Sequence, residues 1–159
     1  MKLYFLIAAA VVLLAQAAPQ PQTQSQPVGF SHRIHAGLLK LPCKTCHTQP
    51  EAGGDMTLPE DALCLSCHKE ETPVLAKLFA AVRAKQPLAW QRVDEVPSYV
   101  FWSHTPHLAA GATCEKCHGP VAAREVLTLE VSHRMADCIA CHRANNADTD
   151  CSFCHEPRN

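Results

Sequence analysis

Apolar positions recur with a helical period in only one long stretch of this chain. Leu75, Leu78, Phe79 and Val82 fall three and four residues apart between Thr72-Pro73 and Pro87. This spacing gives one apolar helix face, with Thr72 placed to cap it and Pro73 to open its first turn. The stripe predicts a helix packed against the rest of the fold. Leu88 to Tyr99, interrupted by Pro97, predicts an extended connector. At the start, Met1-Lys2, an apolar run from Leu3 to Ala15 and the small-x-small site Ala15-Gln16-Ala17 give residues 1–17 the layout of a secretory signal peptide. The run is shorter than the roughly 20 residues of a membrane span, and an uncleaved N-terminal anchor is the alternative. No cysteine lies near the cleavage site, which argues against a lipoprotein. Removal of the peptide leaves 159 − 17 = 142 residues. Residues 18–27, rich in Gln, Pro and Ser, form a flexible leader. Gly53-Gly54-Asp55 and Asn145-Asn146-Ala147-Asp148 are loop signals. The fold class expected is therefore mostly irregular, with short α-helices and little or no sheet.

Composition sharpens this picture. Only 6% of residues are aromatic, and much of the 47% apolar content is Ala, Cys and the N-terminal run. A conventional core is thin in such a chain, so a bulky apolar group has to supply the missing burial. The net charge is −1 without a Lys/Arg block, which excludes a phosphate backbone as an expected partner.

The ten cysteines identify the group. They fall in five pairs, each closed by histidine: Cys43 and Cys46 with His47, Cys64 and Cys67 with His68, Cys114 and Cys117 with His118, Cys138 and Cys141 with His142, Cys151 and Cys154 with His155. C-x-x-C-H is the attachment motif of c-type haem: two thiols form thioethers to the haem vinyl groups, and the adjacent imidazole becomes an axial iron ligand. Disulfides, permitted by export, do not explain a histidine after every second cysteine. Zinc sites of four ligands fit five Cys-Cys-His triples poorly. Five haem c groups are expected.

Ten histidines are present, and five remain outside the motifs: His32, His35, His104, His107 and His133. That is one spare imidazole for each iron, so bis-histidine ligation is expected. His32 with His35, and His104 with His107, have a spacing of three that puts both rings on neighbouring turns of one helical segment. Ser31 and Ser103 are positioned as N-caps of these segments, Pro106 is tolerated near a first turn, and Gly37 and Gly111 fall in the turns that follow. The chain divides into a dihaem unit over 28–70, a helix and connector over 71–97, and a trihaem unit over 98–159.

These residues resemble class III multihaem cytochromes c, whose fold is built around haems as its core. The order Trp102 to His107, Cys114 to His118, His133, Cys138 to His142 and Cys151 to His155 is similar to the small triheme members. By that resemblance His104 pairs with His118, His107 with His142, and His133 with His155. Carried to the first unit, it implies His32 with His47 and His35 with His68.

A narrower resemblance covers Val93, Pro97, Tyr99-Val100-Phe101, His104, His107, Gly111, Cys114, Cys117 to Val121, Met135 and Cys138 to Arg143. It is to the pentahaem subunit of alternative complex III and related quinone-linked oxidoreductases. Those subunits exchange electrons with periplasmic carriers and with iron-sulfur or molybdopterin-family subunits. In such relatives a methionine precedes the fourth motif, so Met135 is the alternative to His133 as a metal ligand. This chain departs from them in its compactness and its cleavable-looking N-terminus.

The function implied is extracytoplasmic electron transfer, without a catalytic centre, in association with a membrane complex of the respiratory chain. A freely diffusing periplasmic shuttle is the alternative. A multihaem reductase would need an iron with an open face, which the matched histidine count disfavours. Haem propionates add negative charge, which suits a lysine-bearing partner surface.

Overall fold

The computed structural model describes residues 26–48 and 56–156. The signal-peptide reading, nearly all of the leader and the Gly53-Gly54-Asp55 loop lie outside them. Seven short α-helices are described: α1 (Cys43–Cys46), α2 (Asp61–Cys64), α3 (Ala76–Ala84), α4 (His104–Ala109), α5 (Cys114–His118), α6 (Met135–Ala144) and α7 (Cys151–His155). A π-helical turn over Arg33–Leu38 and a 3₁₀ turn over Val121–Ala123 complete them, and no strand occurs among the described residues.

The apolar stripe forms α3, starting later than Thr72 and Pro73 suggest. The Thr72 carbonyl accepts from Leu75 N–H at 2.9 Å, which closes a separate turn over 73–75, and the helix begins without a side-chain cap. It ends in a left-handed Lys85 (φ 53°). Gln86 N–H reaches back to the Ala81 carbonyl at 3.1 Å, a six-to-one closure, and Pro87 prevents continuation. Leu78, on the inner face, is 3% exposed and is the only buried apolar side chain among the described residues.

Both H-x-x-H segments are helical and both serines cap them. The Ser31 hydroxyl accepts from Ile34 N–H at 3.1 Å, and the Ser103 hydroxyl accepts from Thr105 N–H at 3.2 Å. The first segment is wound more loosely, as Leu39 N–H reaches the Ile34 carbonyl five residues back at 2.9 Å. Gly111 is in the turn after α4 with φ 84°. Gly37, expected in a turn, lies inside the π-helical segment instead. There it permits close approach of the 3₁₀ turn, since a Cβ at this position would sit 2.3 Å from the Ala122 carbonyl oxygen. Arg33 N–H donates to the Arg124 carbonyl at 2.8 Å on the same seam, and the Arg33 guanidinium pairs with Glu125.

The stretch after α3 has neither helix nor strand and is tied along its length to the rest of the protein. Leu88 N–H donates to the Asp61 carboxylate at 2.8 Å and Arg92 to the Met56 carbonyl at 3.1 Å. Gln26 and Gln91 exchange two hydrogen bonds of 2.9 and 3.1 Å. Farther along, Phe101 N–H donates to the Cys154 carbonyl at 2.7 Å.

Candidate functional site

Each C-x-x-C-H motif occupies a helical turn: α1, the end of α2 and its following turn, α5, the second half of α6, and α7. One turn spaces the two thiols and swings the next residue around. In the first two motifs this is fixed by His47 N–H to the Cys43 carbonyl at 2.9 Å and by His68 N–H to the Cys64 carbonyl at 3.0 Å. No disulfide joins the ten cysteines.

Thiols of successive motifs lie near one another. Burial raises Cys43, Cys46, Cys64, Cys117 and Cys138 above the ordinary thiol value. The secondary causes identify neighbours: Cys114 adds to the rise of Cys43, and Cys46 to that of Cys64. Cys141 does the same for Cys117, and Cys154 for Cys138. The motifs thus run in space as second, first, third, fourth, fifth.

Four histidine pairs face each other at nearly one spacing. Ring centroids are 6.3 Å apart for His32 and His47, 6.1 Å for His35 and His68, 6.4 Å for His104 and His118, and 6.0 Å for His107 and His142. An imidazole nitrogen lies about 2.0–2.1 Å from a first-row metal, so two rings gripping one ion from opposite sides have centroids about 6 Å apart. The spacing fits a six-coordinate haem iron.

The outward nitrogens tell the same story. Nδ1 of His35 donates to the Ser31 carbonyl at 2.9 Å, His47 to Thr57 at 3.2 Å, and His107 to Ser103 at 2.7 Å. His142 donates to the Asp148 carbonyl at 2.5 Å and His155 to the Tyr99 carbonyl at 3.2 Å. A carbonyl can only accept, so Nδ1 holds the proton and Nε2 keeps its lone pair for a metal. Burial, reinforced by His47 and His35, lowers His32 to about 4, which keeps that imidazole neutral as a ligand must be.

His133 behaves differently. Its ring lies 6.2 Å from that of His118, and its Nε2 donates to the Cys117 carbonyl at 2.9 Å. The ring of His155 instead lies 6.0 Å from Tyr99. The structure thus brings together four of the expected pairs and places the members of the fifth in separate contacts. Met135 heads α6 and is 66% exposed.

Two contacts were not signalled by any motif. Asp94, in the connector, accepts from His118 Nδ1 and lies 3.8 Å from His133 Nδ1; nothing in the pattern around it singles out this carboxylate. Trp90, edge-on to Phe30 at 6.3 Å, has a buried Nε1–H with no acceptor among the described residues. Phe30 in turn stacks on His35 at 4.4 Å. Among the described residues no helix is long and apolar enough to cross a membrane.

Short helices, repeated thiol pairs and facing imidazoles with locked Nδ1 protons define a multihaem c-type cytochrome. The family model "Class III cytochrome C family" matches residues 9–88, and "Cytochrome c7 and related cytochrome c" matches residues 100–156. The chain belongs to the class III cytochrome c family, and its role is that family's, electron transfer through haem c. It is 33% identical over 99 residues to the menaquinone reductase, multiheme cytochrome c subunit, of Nitratidesulfovibrio vulgaris (strain Hildenborough), a match covering 60% of this chain and 46% of the relative. It is 24% identical over 143 residues to the high-molecular-weight cytochrome c of the same organism, covering 72% of this chain and 25% of the relative. These matches span less than half the length of either curated relative.

Proposed function

We propose that the chain carries five haem c groups and conducts electrons on the extracytoplasmic side of the membrane, as a subunit or close partner of a quinone-linked oxidoreductase. The observation that carries this reading is the set of four facing imidazole pairs at 6.0–6.4 Å, each attached to its own Cys-Cys-His turn. The ten motif cysteines form the thioethers. His47, His68, His118, His142 and His155 ligate from the motif side, and His32, His35, His104 and His107 complete the first four irons. When bound, the haems supply the one-electron Fe(III)/Fe(II) couple. With imidazoles of this chain holding the iron from both sides, these residues would leave no position for a substrate, so the chain would carry electrons without a catalytic role of its own. The naming of one relative as a menaquinone reductase subunit supports the quinone-linked assignment, with iron-sulfur or molybdopterin-type subunits as neighbours.

For the fifth iron, Met135 is the better second ligand. His133 has its Nε2–H committed to the Cys117 carbonyl. Met135 stands one helical turn before Cys138, whose thiol neighbours Cys154 of the fifth motif. Thioether ligation raises a haem potential relative to bis-histidine neighbours. Mass spectrometry of the mature protein is expected to show five covalent haems. Electron paramagnetic resonance with near-infrared magnetic circular dichroism is expected to give four bis-histidine centres and one histidine-methionine centre. Fewer than five haems, or irons that readily take up carbon monoxide, would overturn the proposal. Co-purification with membrane-complex subunits separates the complex-bound role from a diffusing shuttle.

A further inference from the structure

Five of the described motif and spare histidines turn Nδ1 toward a backbone carbonyl. His118 instead turns it toward a carboxylate, Asp94 Oδ2. The other oxygen of that carboxylate lies 3.8 Å from His133 Nδ1, and His133 is anchored to the third motif through the Cys117 carbonyl. The Asp94 side chain is 24% exposed and that of His118 33%, so water screens the contact only in part. Asp94 belongs to the connector, whose Leu88 N–H donates to the Asp61 carboxylate; beyond its other end, Phe101 N–H donates to the Cys154 carbonyl. The segment carrying the carboxylate is therefore flanked by two hydrogen bonds, one to a side chain and one to backbone.

We propose that Asp94 is a positioning residue that sets the electronic character of the third haem by drawing the Nδ1 proton of His118 toward itself. This rests on the reading that His118 ligates an iron. A carboxylate at Nδ1 fixes the ring's tautomer and orientation and makes Nε2 a stronger donor. A stronger donor favours Fe(III) over Fe(II), so the one-electron couple of this haem lies lower than with a neutral acceptor in the same place. A carbonyl, bearing no net charge, exerts the weaker version of this effect on the five rings that face one. Asp94 thereby distinguishes the centre where the two halves of the protein meet, next to the Cys43 and Cys114 thiols.

The test compares the holoprotein with Asp94→Asn and Asp94→Glu, and with Glu95→Gln as a control that removes a neighbouring exposed charge. Asparagine can still accept the proton through a neutral oxygen. Asp94→Asn is expected to raise one haem couple by at least a tenfold change in its ferric-to-ferrous ratio at fixed potential, about 59 mV for one electron, with the other couples unmoved. Glutamate is expected to restore much of the difference, and Glu95→Gln to leave every couple in place. A full haem complement in Asp94→Asn with no couple displaced would overturn the assignment. A low haem count in the native protein would instead count against the underlying ligand reading. If Asp94→Asn does not mature, the native ferric protein decides: electron paramagnetic resonance is expected to show one bis-histidine centre with a stronger axial ligand field than the rest, and a uniform set overturns the proposal.

Discussion

Gly37 shows how much one missing Cβ carries. An added methyl would stand 2.3 Å from the Ala122 carbonyl oxygen, a backbone atom that cannot rotate aside, so the π-helical segment or the 3₁₀ turn would have to move. Gly37→Ala is expected to destabilise the holoprotein by about 1–3 kcal/mol, as overpacking does, read as a lowered midpoint of thermal unfolding. Gly29 has open space around its Cβ position, and Gly29→Ala is expected to change stability by no more than about 0.5 kcal/mol. The cysteines and histidines of the motifs were legible because their chemistry demands a fixed spacing. Gly37 was read as a turn glycine because a sequence shows that a side chain is absent but not which backbone approaches it. Asp94 was missed for a related reason: hydrogen-bond partners of ring nitrogens come from remote carbonyls and carboxylates, which leave no local pattern.

Among the elements, the H-x-x-H segments followed their polar caps closely. Ser103→Ala removes the hydroxyl that accepts from Thr105 N–H while keeping the carbonyl that accepts from His107 Nδ1. It is expected to cost about 1 kcal/mol, measured by thermal unfolding, with the haem spectrum unchanged. The seam between the π-helical segment and the 3₁₀ turn has an acid dependence. Glu125 is held below its ordinary value of 4.5 first by the Ser31 hydroxyl and then by Arg33. Glu130 is held below the same 4.5 by its hydrogen bond to Arg124. A carboxylate with a depressed folded pKa stabilises fully above its unfolded value and loses that contribution as pH falls through the folded one. Unfolding midpoints are therefore expected to drop below about pH 4.5, less steeply in Glu125→Gln, with a parallel slope in the variant counting against the seam. The looser winding of the first segment had no sequence signal, since it answers to tertiary packing at Gly37. The late start of α3 arises because Thr72 closes its turn with backbone rather than hydroxyl.

At the scale of the whole molecule, absence of sheet and shortness of helices among the described residues were legible because few stretches keep a period long enough to build a longer element. The relative placement of the units was not, since it depends on connector bonds such as Leu88 to Asp61 and Asp94 to His118, which pair residues far apart along the chain. The same economy of apolar pattern has an energetic consequence. Leu78 alone is buried among the described apolar side chains, while Leu38 is 66% exposed, Leu39 62%, Val126 56% and Leu129 53%. Burying one leucine contributes only about 1.5–3 kcal/mol, whereas each ordered residue costs about 1–2 kcal/mol in backbone entropy. Polypeptide packing by itself cannot hold this arrangement, and covalent haem has to be part of the folding free energy, as metals are in small metal-dependent domains. The chain with its ten motif cysteines changed to alanine is therefore expected to be largely unfolded, with coil-like far-ultraviolet circular dichroism and narrow amide dispersion in NMR. A cooperative thermal transition and a well-dispersed spectrum from that haem-free protein would show instead that the side chains suffice, and that the haems are guests of the fold rather than its core.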